Sequence, residues 1–248
     1  MLKNYRITIS YDGTRYDGWQ KQKNTENTIQ GKLEVLLSRM AGIEISVHGS
    51  GRTDAGVHAL GQTANFRMDT ELSEEELFRA MNEYLPDDIA VLDLRIASER
   101  FHSRLSAAGK VYRYRLYVGK GKPVFERKYV WQLSEIPDID RIREAAGYFI
   151  GQHDFKAFCK NHRMKKSTVR CIRRIDVEQS PDGKEIDLTF EGNGFLQNMV
   201  RILTGTLVEC GLGFREPEQM EEILESGERN RAGRMAPAKG LILIEVKY

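Results

Sequence analysis

The sequence predicts an α+β protein built from two similar halves. Stretches with the alternating pattern of β-strands occur between stretches with helical spacing, and the order of these elements recurs weakly in the second half. A chain of 248 residues is long enough for one large core or two smaller ones. We therefore expect two α+β units, residues 1–104 and 105–248, with their sheets joined or facing and a cleft between them.

The first half contains four segments with strand character and two with helical spacing. The predicted strands cover residues 5–11, 43–47, 63–67 and 89–96. The predicted helices cover residues 29–40 and 74–84. Gly42 stands where a C-cap glycine would end the first helix, Ser73 and Glu76 form a capping box for the second, and Pro86 stops it.

The second half repeats this order of elements. The predicted strands cover residues 110–115, 168–178, 184–191 and 241–244. The predicted helices cover residues 139–150, residues 196–210 and a short segment after Pro217. Gly151 and Gly211 are the expected ends of the first two of these helices. The run from Leu241 to Ile244 is continuously apolar, which suits a strand that is buried on both faces.

The composition indicates a soluble globular protein. Hydrophobic residues make up 40% of the chain and charged residues 30%, and no apolar run is long enough to span a membrane. The N-terminal residues lead straight into the first strand pattern, without the apolar core of a secretory signal. We therefore expect a cytoplasmic protein with no membrane partner.

The cysteines and histidines favour neither disulfides nor a metal site. Cys159, Cys171 and Cys210 form an odd set without C-x-x-C spacing, which argues against a disulfide framework and a zinc ribbon. His153 and His162 bring further ligand types close to Cys159 and Cys171. Their spacing fits no common structural zinc pattern, and the many surrounding lysines and arginines disfavour a divalent cation. We expect no metal.

Charge is strongly segregated along the chain, although the formal net charge is only +2. Residues 69–99 hold ten acids and two bases, whereas residues 100–128 hold nine bases and one acid, and residues 156–174 hold eight bases and no acid. Both basic segments also contain aromatic residues, whose rings can stack on nucleobases. These two basic segments favour a nucleic-acid partner, with two ordinary solvated faces as the alternative.

The densest group of unusual residues is the loop from Gly49 to His58, which directly follows a predicted strand. Three glycines within eight positions allow its backbone to approach a ligand closely, and the loop presents Arg52 and Asp54. The pattern matches neither a P-loop nor a dinucleotide-binding fingerprint. From the spacing alone, a turn capped by Asp54 beside a solvated Arg52 is the simpler interpretation.

Motifs along nearly the whole chain resemble the bacterial tRNA pseudouridine synthase A family. In the loop, the motif is Gly51-Arg52-Thr53-Asp54-Ala55-Gly56-Val57-His58. The other family-like segments are Tyr11-Asp12-Gly13-Thr14, Gly18-Trp19-Gln20, Phe101-His102-Ser103-Arg104, Lys110-Val111-Tyr112-Arg113-Tyr114, His153-Asp154-Phe155, Asn198-Met199-Val200-Arg201 and Ala236-Pro237-Ala238-Lys239-Gly240-Leu241. The resemblance implies two ferredoxin-like halves with mainly antiparallel sheets flanked by helices. It also implies an active-site cleft between the halves, no cofactor, a homodimer that binds tRNA, and uridines of the anticodon stem-loop as substrates.

The resemblance further implies roles for individual residues. Asp54 is the expected catalytic aspartate, and Arg52 is expected to help extrude the target nucleotide. Tyr112 is expected to stack on the uracil, Arg201 to pair with the Asp54 carboxylate, and Leu241 to line the pocket beside the base. From the basic segments, we expect RNA contacts at Arg104, Lys165 and Lys166.

The expected chemistry explains these residue types. Isomerisation must cleave the bond from uracil N1 to ribose C1′, turn the base, and rejoin it through C5, with no net redox change and no outside group donor. A carboxylate suffices, either by adding covalently to the sugar or base or by removing a proton from the ribose. The base must leave the helical stack, so an inserted side chain and an aromatic platform are expected. An arginine opposite the carboxylate would hold it ionised and oriented.

Two other functions remain open from the residues alone. A carboxylate-dependent hydrolase of nucleosides or glycosides would use Asp54 with a second acid, supplied by Asp12, Asp17 or Asp154. A non-catalytic RNA-binding module or folding helper would need only the basic, aromatic segments. Hydrolysis releases free uracil whereas isomerisation leaves the RNA mass unchanged, and turnover with and without Asp54 separates an enzyme from a binding module.

Overall fold

The structure is a computed structural model that describes residues 1–160 and 167–248. The predictions for His162, Lys165 and Lys166 therefore lie outside the described residues. The chain forms two compact units, Met1–Ala108 with Ile242–Tyr248, and Gly109–Leu241. The division expected from the sequence, after residue 104, lies close to the first boundary but assigns the C-terminal strand to the other unit.

Both units combine strands and helices. Across the described ranges, the strands are β1 (Lys3–Tyr11), β2 (Val47–Gly49), β3 (His58–Met68), β4 (Ile89–Ala97), β5 (Gly109–Tyr117), β6 (Trp131–Gln132), β7 (Gly151–Asp154), β8 (Val169–Gln179), β9 (Glu185–Gly192) and β10 (Leu241–Lys247). The helices are α1 (Ile29–Ala41), α2 (Glu74–Tyr84), α3 (Ile139–Gly147), α4 (Met199–Gly211) and α5 (Gln219–Ser226). The predicted α+β class is confirmed.

The sheet of the first unit is mostly antiparallel. Its strand order is β4-β1-β3-β10, and β2 is a further partner of β3. β1 pairs antiparallel with β3 and β4, whereas β10 runs parallel to β3 with Ile242 opposite His58. Alternate residues of β1, from Tyr5 to Tyr11, are buried. Burial of each such large apolar side chain contributes about 1.5–3 kcal/mol, so this face of β1 anchors the unit.

The helices of the first unit begin and end as the sequence predicts. The Thr28 hydroxyl accepts a hydrogen bond from the Gly31 amide at the start of α1, and Gly42 ends the helix with a φ of 69°. Ser73 and Glu76 form both hydrogen bonds of a capping box at the start of α2. These caps satisfy amides that would otherwise be left without partners at the helix ends, which fixes where each helix begins.

The sheet of the second unit is also mainly antiparallel, with the order β5-β9-β8-β7, and the short strand β6 lies parallel to β5. Helix α4 is the core of this unit, because nearly all of its residues are buried, including Arg201. A helix that is apolar on every side must be surrounded by protein. Within the described residues, no helix is long and apolar enough to cross a membrane.

Several predicted boundaries in the second unit were wrong. Helix α3 ends at Gly147, whereas the sequence predicted a helix to residue 150. Gly151 has a φ of 106° and begins β7, a strand that the sequence did not predict. Helix α4 begins at Met199 and not at Leu196, because Asn198 adopts a left-handed conformation with a φ of 62° that a helix cannot contain.

Two boundaries around the glycine-rich loop were also wrong. β2 covers only Val47–Gly49, and Ile43, which the alternation had placed in this strand, is exposed. β3 begins at His58 and not at residue 63. The loop therefore ends directly in a strand, so both of its ends are fixed by the sheet of the first unit.

Candidate active site

The start of the loop from Gly49 to His58 is tied to strand β3. The Ser50 amide donates a hydrogen bond to the Thr63 carbonyl at 2.8 Å, and the Ser50 hydroxyl donates to Gln62 Oε1 at 2.8 Å. The Gln62 amide nitrogen in turn donates to the Gly51 carbonyl at 3.0 Å. Ser50 and Gln62 are buried, so these bonds exchange little with water and hold the entry to the loop in place.

Thr53, the residue before Asp54, is anchored on two sides. Its carbonyl accepts a hydrogen bond from the Trp19 amide at 3.1 Å, and its hydroxyl shares one of 2.8 Å with the Tyr11 hydroxyl. Burial raises the pKa of Tyr11 to about 12, so this hydroxyl keeps its proton at neutral pH. The backbone that carries Asp54 is thereby held from β1 and from the Gly18-Trp19-Gln20 segment.

Gly18 is the residue that lets this segment approach Thr53. It has a φ of 94°, and a Cβ at this position would lie 2.7 Å from the Thr53 carbonyl oxygen. We expect Gly18→Ala to cost about 1–3 kcal/mol of unfolding free energy and to lower turnover, because it strains the backbone and displaces Thr53. Urea denaturation and a turnover assay measure the two effects.

The matched control is Gly147→Ala in α3, where an added Cβ would meet nothing within 4 Å. We expect this variant to be neutral or more stable by about 0.5–1 kcal/mol, because alanine favours a helix. Equal stability changes at positions 18 and 147 would contradict the role assigned to Gly18.

Asp54 is half-buried and lies at the start of a turn. Its carbonyl accepts a hydrogen bond from the Val57 amide at 3.1 Å, and Gly56 within the turn has a φ of 77°. The neighbours on either side differ, since Thr53 is buried and Ala55 is exposed. Asp54 is therefore a partly exposed residue on a fixed backbone, as a group that must meet a substrate requires.

Arg52 is exposed, and its guanidinium is connected by hydrogen bonds to a series of polar side chains. Its Nε donates to Gln20 Oε1 at 3.0 Å, and the Gln20 amide nitrogen donates to Gln30 Oε1 at 2.6 Å. Gln30 then donates to Glu34 Oε1 at 2.9 Å, and Glu34 forms an ion pair of 3.1 Å with Lys21. This series of hydrogen bonds was not predicted from the sequence, although Gln20 belongs to one of the family-like motifs.

Arg201 is the buried arginine of the second unit. It is 9% exposed, its Nε donates to the Ala236 carbonyl at 2.8 Å, and the Ala236 amide donates back to the Arg201 carbonyl at 3.0 Å. The apolar helix α4 and the segment from residue 236 therefore hold the guanidinium together. A buried cation in this setting needs polar partners, because burial without them is costly.

Tyr114 fixes the segment that leads to Leu241. Its hydroxyl donates to the Pro237 carbonyl at 2.7 Å, and a Cβ on Gly240 would lie only 2.6 Å from its ring. Burial raises the pKa of Tyr114, and the positive charge of Arg201 acts in the opposite direction. Leu241, which is buried, follows as the first residue of β10.

Tyr112 lies on the same face of β5 as Tyr114, because side chains two residues apart share a face. It is buried, and its ring packs edge-on against Phe195 with 5.3 Å between the ring centroids. Tyr112 and Tyr114 therefore lie side by side on β5, and Tyr114 in turn contacts the segment before Leu241.

Arg104 follows a segment that is pinned to the first unit. The amide of the buried Ser103 donates to Asn65 Oδ1 at 2.9 Å, and its hydroxyl donates to the His48 carbonyl at 2.5 Å. The Arg104 amide donates to His102 Nδ1 at 3.1 Å, and the residue itself is exposed. Its position suits a contact with an external anion.

Part of the basic segments is neutralised within the fold. Four arginines of β5 and β8 lie within 4 Å of acids: Arg113 with Asp187, Arg115 with Glu185, Arg173 with Glu191, and Arg174 with Asp176 and Glu191. These pairs lower the positive charge that the sequence alone suggested for the two segments. A protein surface that binds RNA must therefore use lysines and arginines that have no such acidic neighbour.

The candidate zinc ligands give no metal centre in the part of the chain that the structure describes. Cys159 and Cys210 are buried, Cys171 is half-buried, and none of the three forms a disulfide bond. No three His, Cys, Asp or Glu side chains among the described residues are grouped to hold an ion.

Comparison with known proteins places these residues in a family. The tRNA pseudouridine synthase family model matches residues 7–104 and 145–248. Proteins named tRNA pseudouridine synthase A from Bacillus sp. (strain KSM-64) and tRNA pseudouridine synthase A 2 from Clostridium tetani are 44% and 43% identical to this chain, and each match covers 100% of both chains. A relative named tRNA pseudouridine synthase A 2, from Bacillus cereus (strain ZK / E33L), is 40% identical, again over 100% of both. The chain therefore belongs to the tRNA pseudouridine synthase family.

Proposed function

We propose that this protein isomerises uridine to pseudouridine in tRNA, at uridines of the anticodon stem-loop, with Asp54 as the catalytic residue. Family membership along the whole chain supports the reaction class. The observation that carries the assignment to Asp54 is its half-buried place on a loop whose backbone is fixed on both sides.

The Asp54 carboxylate acts where the glycosidic bond breaks. It either adds to the sugar or base or removes a proton from the ribose, and in both cases the base leaves C1′, turns and rejoins through C5. Atoms and electrons balance without a donor or an oxidant, so the reaction needs no cofactor. The hydrogen bonds that Thr53 forms with Trp19 and Tyr11 hold the backbone next to Asp54 in place. This preorganisation of the Asp54 carboxylate lowers the barrier to the reaction.

Arg52 is proposed to help extrude the target nucleotide. An exposed guanidinium beside the catalytic aspartate can enter the space that the base leaves and pair with the backbone phosphates. The hydrogen bond from Arg52 Nε to Gln20 leaves the other guanidinium nitrogens available for the RNA.

Tyr112, Arg201 and Leu241 are proposed to complete the site around the uracil. Tyr112 provides the stacking ring, Leu241 the apolar wall, and Arg201 the cation that pairs with the Asp54 carboxylate and orients it. Their support is the family-like motifs in which they stand, together with the contacts of Tyr114 with Pro237 and Gly240 before Leu241. Arg104 is proposed to contact RNA backbone phosphate. We further propose a cytoplasmic homodimer that binds tRNA.

We expect Tyr112→Phe to keep most of the activity and Tyr112→Ala to lose most of it. Ring stacking on a base contributes about 1–3 kcal/mol, and phenylalanine keeps the ring. Tyr112→Leu serves as the control, because leucine fills part of the space against Phe195 without a planar ring. Turnover and tRNA affinity are measured on variants that unfold at comparable temperatures. Equal activity of the Phe and Leu variants would argue against stacking.

The proposed function is tested by mapping pseudouridine in cellular tRNA with and without this protein. We expect pseudouridine in the anticodon stem-loop of tRNAs with uridine there to disappear in its absence and to return with the wild-type protein. Return with Asp54→Asn would contradict the proposed role of Asp54, and an unchanged map would contradict the proposed substrate.

A further inference from the structure

An open cavity in the first unit lies outside the Gly49–His58 loop and is lined by three arginines. The cavity measures about 410 Å³, and its basic residues are Arg6, Arg95 and Arg100. None of its lining residues carries a carboxylate. Two carboxylates contact its lining residues: Asp93 lies 3.5 Å from Arg95 Nε, and Glu74 accepts a hydrogen bond from the Ile96 amide. The lining itself carries three positive charges and no negative one.

Arg6 is a cation that the fold holds in place. Its guanidinium carbon lies 4.3 Å from the ring centroid of Tyr248 and 5.3 Å from that of Phe101. Its Nε is buried and has no hydrogen-bond partner among the described residues. Burial lowers the pKa of Arg6, and the charge of Arg95 lowers it further. A bound anion would relieve both effects, because it would neutralise two cations that now repel each other.

A second cavity lies beside the first and is lined in part by the strand before the loop. It measures about 570 Å³ and shares Arg100 and Phe101 with the first. It adds Arg67, His48 and His102, together with the two acids Glu44 and Glu99. His48 lies on β2, which ends at Gly49, where the loop that carries Asp54 begins. We call the two cavities together the arginine groove.

Strand register gives the distance from Arg6 to the end of the loop. Arg6 lies opposite Arg95 on β4 and Asn65 on β3, whereas Tyr11, five residues further along β1, lies opposite Ala59 beside the end of the loop. At about 3.3 Å per residue, Arg6 and Tyr11 are roughly 17 Å apart along the sheet. Only an extended ligand, such as a nucleic-acid strand, could reach from Arg6 to the loop.

We propose that the arginine groove binds the phosphate backbone of an RNA strand, with phosphates at Arg6, Arg95 and Arg100, as a site separate from the Asp54 loop. The groove suits RNA because Arg6 is held by two rings, Arg95 and Arg100 are exposed to a ligand, and its lining contains an aromatic ring, Phe101, that can contact a base. The proposal rests on the proposed function only in taking that RNA to be tRNA. Phosphate contacts outside the Asp54 loop would set the register of the substrate without reading its sequence.

The test is the double variant Arg95→Ala/Arg100→Ala, because both residues are exposed and their loss leaves the core intact. The matched control is Arg39→Ala/Arg79→Ala, which removes the same charge from exposed positions on α1 and α2. Binding is measured across a salt series for an unmodified tRNA transcript and for an oligoadenylate. Because oligoadenylate contains no uridine, its binding does not depend on the isomerisation. If the wild-type protein binds oligoadenylate but forms no pseudouridine in the tRNA transcript, only the proposed function is contradicted.

Each lost phosphate contact should weaken binding about five- to eight-fold at 0.1 M salt and flatten the logarithmic salt slope by about 0.7–0.9. We expect this for both RNAs in the Arg95/Arg100 variant, and near wild-type binding in the control. Equal slopes for the two double variants would overturn the proposal. The proposal would also be overturned if the cavity binds only small anions. In that case inorganic phosphate would raise the unfolding temperature of the wild type but not of the Arg95/Arg100 variant, while RNA binding would be the same in both.

Discussion

Asp54→Asn is expected to abolish pseudouridine formation while tRNA affinity stays within a few-fold of the wild type. Asparagine is nearly isosteric, so the loop that Thr53 anchors keeps its shape, but the amide can neither add to the sugar or base nor accept a proton. A loss of about 10²–10⁴-fold or more is expected for removal of a group that acts on the reacting bonds. Single-turnover assays on a saturating tRNA transcript measure the chemical step apart from binding.

Asp87→Asn is the matched control, because Asp87 is an exposed acid of the same unit and the chemical change is identical. It should keep wild-type turnover. Turnover by Asp54→Asn within about tenfold of this control would exclude the carboxylate as the catalytic group, since even modest proton-transfer catalysis contributes more than that.

Arg201→Ala is expected to reduce stability and catalysis together. Removal of the side chain leaves the buried Ala236 carbonyl without its donor, which costs about 1–3 kcal/mol. If Arg201 also pairs with Asp54, the total approaches the 3–5 kcal/mol or so that is typical of a broken buried ion pair. Turnover should fall severely even at temperatures where the variant is folded. Arg201→Lys keeps the charge but loses the fork of donors, so we expect partial stability and poor turnover.

A matched control separates stability from catalysis. Arg141 also connects a helix to neighbouring backbone carbonyls, since its guanidinium donates hydrogen bonds to the Cys210 carbonyl at 3.2 Å and to the Arg215 carbonyl at 2.8 Å. Arg141→Ala should lower the unfolding free energy measured in urea but keep turnover in the folded protein. An Arg201→Ala variant that loses stability but keeps full turnover would reduce Arg201 to a structural residue.

The helices of the first unit and its strands β1 and β4 were predictable because their signals are local. The capping box of Ser73 and Glu76, the C-cap at Gly42 and the alternation along β1 each act within a few residues. The start of α4 was not predictable, because the left-handed conformation of Asn198 has no signature in the apolar pattern. The short strand β2 ends where tertiary contacts place it, and the alternation before it extends further.

The sequence indicated the residues of the candidate site but not what holds them. Asp54 and Arg201 were identified through motif resemblance, since spacing alone left Asp54 as a turn residue. The contacts that fix Thr53 from Tyr11 and Trp19 join positions more than thirty residues apart. So does the hydrogen bond from Arg52 to Gln20. Such long-range contacts depend on the folded sheet, and no local pattern reports them.

The charge pattern needed the fold for its interpretation. The segment of residues 100–128 is basic in sequence, yet Arg113 and Arg115 face acids of β9. Conversely, Arg95 belongs to a stretch with a strong excess of acids and nevertheless lines the arginine groove beside Arg6. The surface offered to RNA is set by which strands are neighbours, so a count along the chain gives only its approximate position.

The most direct test of the central claim uses the purified protein, an unmodified tRNA transcript and no added cofactor. Nucleoside analysis and intact-mass measurement of the RNA are followed over time, with pseudouridine mapped to its position. We expect pseudouridine in the anticodon stem-loop, no free uracil and an unchanged RNA mass. Release of free uracil with an equivalent loss of RNA mass, or an unmodified transcript, would contradict it.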